Sequence, residues 1–154
     1  MVYAAVVRHL IRRSIDKLNA GDPGALLAMA SPDAVLRFPG ASPTAARFRP
    51  VVKGRMPHDT HRGLEECRAF ADAFVEQGIQ FVLEDVLVAG PPWRTRVALR
   101  LHDFAPAADG SDDYTNRAVA FLELRWGRLV VWEDYEDTER TADWDRRRGL
   151  LAQA

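Results

Sequence analysis

Between residues 79 and 136 the chain holds four apolar-rich segments, at 79–88, 93–105, 114–125 and 128–136. They are joined only by Gly90-Pro91-Pro92, by Ala108-Asp109-Gly110-Ser111-Asp112 and by Trp126-Gly127. Val, Leu, Phe and Trp fill the segments and turn-forming residues bound them, which is the pattern of β-strands. Links this short close antiparallel hairpins, because a parallel crossover needs roughly a dozen residues or more. The second half of the chain is therefore predicted to be two hairpins of one sheet.

The first half reads differently. Val6, Val7, Leu10, Ile11, Ile15 and Leu18 recur at helical spacing over 2–20. Asp22 is placed to cap a short second helix with Pro23 in its first position. Ser31-Pro32-Asp33 breaks it, and 34–38 reads as a short strand. Residues 39–62 carry four prolines and no sustained period, so they are expected to form a lid loop. A third helix is predicted from about Gly63 to Gln77, stopped by Gly78, and a closing one from Thr138 to about Leu151. Helices early and strands late predict an α+β domain. Its cone-shaped, curved, antiparallel or mixed sheet should enclose one apolar pocket under three helices from the N-terminal half. At 154 residues the whole chain, 1–154, fits one domain without disulfide or metal support.

Charge and composition exclude some functions. The formal net charge is −1, so the chain lacks the positive field of a nucleic-acid binder. Arg146-Arg147-Arg148 sits beside Asp143 and Asp145 and reads as a solvated helix face. No apolar run reaches the ~20 residues of a membrane span, so no membrane partner is expected. The N-terminus carries charges every few residues and does not read as a signal peptide. The single cysteine, Cys67, has helical core spacing, which fits a cytoplasmic protein. His58 and His61 lack a third ligand, so no metal is predicted, and no cofactor motif is present.

Alternation along the strands selects the site. Val97, Leu99, Leu101, Asp103 and Ala105 share a face, as do Asn116, Ala118, Ala120, Leu122 and Leu124. On the last strand Val130, Trp132, Asp134 and Glu136 share one. Asp103 and Asp134 thus fall on the apolar, inward face. Burial and a neighbouring like charge both raise a carboxyl pKa, and two such groups can divide into an acid and a base. Asn116 faces inward to orient a polar handle, Tyr114 and Trp132 serve as pocket wall, and His61 is positioned near the mouth. The opposite face carries Arg100, Arg117, Glu123, Arg125 and Glu133, whose mixed charges suit a two-fold homodimer.

The stretch Gly127-Arg128-Leu129-Val130-Val131-Trp132-Glu133-Asp134-Tyr135-Glu136-Asp137 resembles a limonene-epoxide hydrolase pattern. That pattern is a glycine turn, a strand, then Trp-Arg-Asp-Tyr-Phe-Asp. Residues 93–116 look like a SnoaL-like strand pair. In element order nearly the whole chain resembles the nuclear transport factor two-like superfamily, closest to SnoaL-like polyketide cyclases and these hydrolases. The resemblance implies a water-activating base at Asp134 and a second acid at Asp103. It also marks departures. Leu101 stands where the hydrolases carry an Arg, and Leu36 and Phe38 stand where they carry Tyr and Asn. Phe38 also occupies the place of the catalytic Asp of ketosteroid isomerases. An unmodified hydrolase and an isomerase of that kind are both disfavoured. The expected function is a pocket for a small apolar or amphipathic ligand, most simply an acid–base enzyme of isomerase, cyclase or epoxide-hydrolase type. The alternative is a non-catalytic binding or interaction module on the same fold.

Overall fold

A computed structural model describes residues 2–39, 58–107, 109–110 and 112–149. Helices α1 (Val2–Asn19) and α2 (Gly24–Met29) lead into strand β1 (Ala30–Pro39). A short strand β2 (His58–Arg62) and helix α3 (Gly63–Glu76) follow. Then come β3 (Gln80–Ala89), β4 (Thr95–Pro106), β5 (Asp112–Arg125), β6 (Arg128–Glu136) and helix α4 (Thr138–Arg147). The six strands form one sheet in the order β2-β1-β6-β5-β4-β3. Every neighbouring pair is antiparallel except β1 with β6, which run parallel and make the sheet mixed. The α+β class and the two C-terminal hairpins are as expected.

The hairpin turns show why. Trp126 and Gly127 both have positive φ, +52° and +79°, as the favoured two-residue hairpin turns require. Gly90 has φ +89°, and a Cβ there would collide with the Arg94 carbonyl oxygen. Gly90→Ala is therefore expected to cost ~2 kcal/mol or more, read as a lower urea midpoint. An unchanged midpoint would show that the turn relaxes freely.

Several boundaries differ from expectation for identifiable reasons. β1 begins at Ala30 and runs through Ser31-Pro32-Asp33, because its register with β6 shifts between Ala30 and Val35. Proline is tolerated at such an irregularity. Most of the expected lid, 40–57, lies outside the described residues. Its last part, His58–Arg62, is an edge strand paired with β1, from Val35↔Arg62 to Pro39↔His58. The cap of α4 is Asp137, not Thr138: its carboxylate accepts from the backbone N–H of Glu139 at 3.1 Å and of Arg140 at 3.3 Å. On α1, Val7, Ile11, Ser14, Ile15 and Leu18 are buried, while Val6 and Leu10 stay exposed. No described helix is long and apolar enough to cross a membrane.

The core lies between the sheet's inner face and α1 to α3. Val97, Leu99, Leu101, Ala120, Leu122 and Leu124 are at most 2% exposed, so the β4 and β5 alternation holds residue by residue. On β6 it slips once. Leu129 takes the inward place expected of Val130, because the pairing with β5 shifts between Glu123 and Leu124. Beyond the bulge, Trp132 and Asp134 face in as expected.

Candidate active site

Three strands deliver acids to one end of the core. Asp103 comes from β4, with Asn116 of β5 as its cross-strand neighbour. Asp134 comes from β6 opposite Ala120, and Glu136 opposite Ala118. These alanines leave open space beside the two carboxyls. Asp103 is 4% exposed and Asp134 is 5% exposed, and Glu136 is partly buried.

The hydrogen bonds are specific. The Trp132 indole N–H donates to Asp134 Oδ1 at 2.7 Å. The Tyr114 hydroxyl donates to Asp103 Oδ2 at 3.0 Å, and Asp103 Oδ1 has no partner. Asn116 Nδ2 donates to the Tyr114 hydroxyl at 3.0 Å and to the Asp137 carbonyl at 3.0 Å. The Thr141 hydroxyl lies 3.2 Å from that of Tyr114. Burial is the main cause that raises all three carboxyl pKa values. Asp134 rises well above the ordinary range; Glu136 and Asp103 also raise it, against the indole bond. Asp103 is raised by burial, partly offset by Tyr114. Glu136 is raised to about 7 by burial and then by Asp103. Burial likewise raises the Tyr114 phenol, which stays a proton donor. Asp103 and Glu136 thus act on Asp134, and Asp103 on Glu136, so the three carboxyls titrate as a coupled set.

The cavity has two lobes. One is apolar and includes Leu36, Phe38, Phe70, Phe74, Phe81 and Trp132 in its wall, with Asp134 as its polar member. The other holds Asp103, Tyr114, Asp134, Glu136, Thr141 and Trp144. Phe38, Phe70, Phe74, Phe81 and Asp134 line both, so Asp134 stands at the junction of the apolar and acidic lobes. No Lys or Arg lines either lobe among the described residues. Arg100 points outward and pairs with Glu84 at 3.0 Å, while Leu101 is fully buried. No group of three His, Cys, Asp or Glu among the described residues is arranged to hold a metal ion.

Of the residues selected from sequence, Asp103, Asp134, Glu136, Tyr114, Trp132, Phe38 and Leu36 line the cavity. Asn116 and Leu101 are buried beside it without lining it, and His61, 0% exposed, packs on Phe70 with ring centroids 5.1 Å apart. Cys67 lines the apolar lobe as a core thiol, its pKa pushed up to about 11 by burial. The acidic lobe also has a wall from α4 that sequence reasoning missed. Trp144 stacks on Tyr114 at 4.5 Å, and its indole donates to Asp113 at 2.7 Å. Arg147 reaches the same carboxylate at 3.1 Å, so α4 is pinned to β5 with Thr141 turned inward. Thr141 and Trp144, one helical turn apart on a strongly charged helix, were the available signal.

Comparisons with known proteins agree with this architecture. No curated protein matches the chain. Among solved structures it is similar to an NTF2-like protein of unknown function from Mesorhizobium loti, at 24% identity and TM-score 0.60, over 85% of this chain and 90% of that one. It is similar to another from Burkholderia pseudomallei, at 20% identity and TM-score 0.65, over 91% and 95%. A suggested isomerase from Bacillus subtilis aligns at 15% identity and TM-score 0.63, over 94% of each chain. At these identities the likeness establishes the fold. The family model described as "SnoaL-like domain" matches residues 11–132, most of the chain and all of its core strands up to Trp132. The chain therefore belongs to the SnoaL-like family, on the NTF2-like fold.

Proposed function

We propose that this chain is an acid–base enzyme that works with its own carboxyl groups on a small, largely apolar substrate. The carrying observation is the place of Asp134, a buried carboxyl held by an indole at the junction of an apolar and an acidic lobe. The apolar lobe takes the hydrocarbon body of the substrate, and a ketone, epoxide or similar handle meets Asp134. Asp134 transfers the proton. Asp103 and Glu136 set how many protons the cluster holds, and Tyr114 and Asn116 fix Asp103. Three acids without a cation repel anions, so the substrate handle is neutral. The reaction class is isomerisation, cyclisation or hydrolysis. A panel of neutral epoxides and cyclic ketones, followed for product, tests this. Ligands that bind equally to the wild type and to an Asp103→Asn/Asp134→Asn double variant, with no product from either, would instead establish a binding module. That second reading is favoured by Leu101, which leaves the acids without the hydrolase arginine.

The same reading includes a homodimer through the outer sheet face. Val82, Val119 and Tyr135 are 49%, 45% and 54% exposed there. They lie among ion pairs made within the chain, Arg100 and Arg117 with Glu84 and Arg37 with Glu133. An apolar patch framed by satisfied charges suits an isologous contact. Sedimentation at micromolar concentration should give twice the chain mass, and Val119→Asp should give a monomer. A monomeric wild type removes the dimer from the proposal.

A further inference from the structure

The far end of the sheet carries a second cluster that the cavity does not use. Two turns meet there. The Trp126 N–H donates to the Pro92 carbonyl at 2.6 Å, and the Thr95 hydroxyl donates to the Pro91 carbonyl at 2.9 Å. The Tyr3 hydroxyl from α1 lies 2.8 Å from that of Thr95, so both turns and the start of α1 are tied together. Along β4 this end is about 26 Å from Asp103, at ~3.3 Å per residue.

Trp93 and Trp126 stand on this platform, 59% and 73% exposed, with ring centroids 6.0 Å apart. Arg94, Arg96, Arg125 and Arg128 surround them, all exposed. The acids nearby are Glu123, 4.0 Å from Arg96, and Asp33, whose carboxyl feels Arg125. The chain as a whole has net charge −1, so this basic end is a local polarity. Trp126 is also the only non-glycine residue with positive φ among the described residues. A bulky side chain is disfavoured in that conformation, where Asn or Gly would form the turn more readily. A strained tryptophan that is three-quarters exposed and touches Trp93 adds little to the core.

The occupant follows from chemistry. The depression beside Trp93 is walled by Arg94, Thr95, Arg96, Glu123, Leu124 and Arg125; beyond Trp93 its one apolar member, Leu124, is 1% exposed, so it is a poor seat for a partner's apolar side chain. A fluid apolar layer bearing negative charge needs no such seat. Indoles settle at the headgroup level of a bilayer, and arginines there gain from anionic lipid. We propose that this end of the molecule docks reversibly on anionic membrane surfaces, leaving the acidic lobe at the opposite end free. This departs from the expectation of no membrane partner, which rested on the lack of a spanning segment and does not bear on surface adsorption.

The test is co-sedimentation of the full chain with vesicles of neutral phosphatidylcholine, alone or with about one-third phosphatidylserine. The wild type should partition at least ~10-fold more strongly onto the anionic vesicles, with a blue shift of tryptophan emission. Arg94→Gln/Arg125→Gln should weaken this by about 25-fold. Trp126→Asn should weaken it severalfold while raising the unfolding midpoint, a combination that a merely structural tryptophan would not give. Equal partition onto both vesicle types overturns the proposal, as does undiminished binding by Trp126→Asn. So does a wild type that ignores vesicles yet binds polyglutamate, or that self-associates through this end.

Discussion

Asparagine at position 134 is expected to lower kcat by about 10²–10⁴-fold on the first substrate that the wild type turns over, with ligand affinity kept within about threefold. The substitution is nearly isosteric and keeps an oxygen for the Trp132 indole, which now donates at 2.7 Å. The wall of both lobes therefore stays in place, and only the transferable proton is lost. Wild-type kcat should depend on pH near neutrality, because burial holds Glu136 at about 7 and Asp134 well above its ordinary range. Asp103→Asn should act more mildly, since Asp103 lines only the acidic lobe and is held by Tyr114, which Asn116 in turn holds, whereas Asp134 lines both lobes. A variant whose kcat stays within threefold of the wild type would remove Asp134 from the chemistry, leaving the cavity as a binding site.

Asp103 and Asp134 were legible in the sequence because strand alternation is strictly two-residue, and short turns fixed which strands pair. The inward face of β4 could be read from Val97 to Ala105 without error. Where the ladder slips, the pattern fails. The bulge before Val131 exchanges Val130 for Leu129, and the shift between Ala30 and Val35 hides a strand behind a proline. β2 was illegible because His58–Arg62 has no apolar alternation, its pairing being supplied by β1. The contribution of α4 was missed for another reason. Its composition marks a solvated helix, and the contacts of Trp144 and Thr141 with Tyr114 and the Asp113 bonds to Trp144 and Arg147 show that it closes the acidic lobe. The division of the cavity by Phe38, Phe70, Phe74 and Phe81 is likewise tertiary, since α3 and two strand-to-helix contacts bring these rings together. Phe38 and Phe70 stack at 4.2 Å, and Phe74 and Phe81 at 4.9 Å.

Stability is expected to fall as pH rises from about 4 toward 8, and Asp145→Asn should flatten much of that fall. Asp145 on α4 is 0% exposed, and neither carboxylate oxygen has a hydrogen-bond partner. Burial raises its pKa from 3.8 to about 6, against the pull of Arg148. Glu136 moves from 4.5 to about 7. For both groups the folded state holds its proton to higher pH than the unfolded chain does. Their stabilising effect is complete below pH ~4 and is lost as pH climbs through 6 and 7, because the unfolded chain ionises first. A shift of this size is worth about 2–3 kcal/mol for Asp145 by pH 8, a large share of a domain's ~5–15 kcal/mol. Asparagine cannot ionise, so Asp145→Asn should exceed the wild type by about 2 kcal/mol at pH 8 and match it closely at pH 4. Urea unfolding at pH 4, 6 and 8 reads both slopes directly. Glu136→Gln should act in the same direction, with the two variants less than additive because the Asp145 charge is one of the causes that raise Glu136. A wild-type stability that is flat or rising across this range would mean that the Asp145 charge is neutralised in the fold. Asp145→Asn would then destabilise at pH 8, because it would break that pairing.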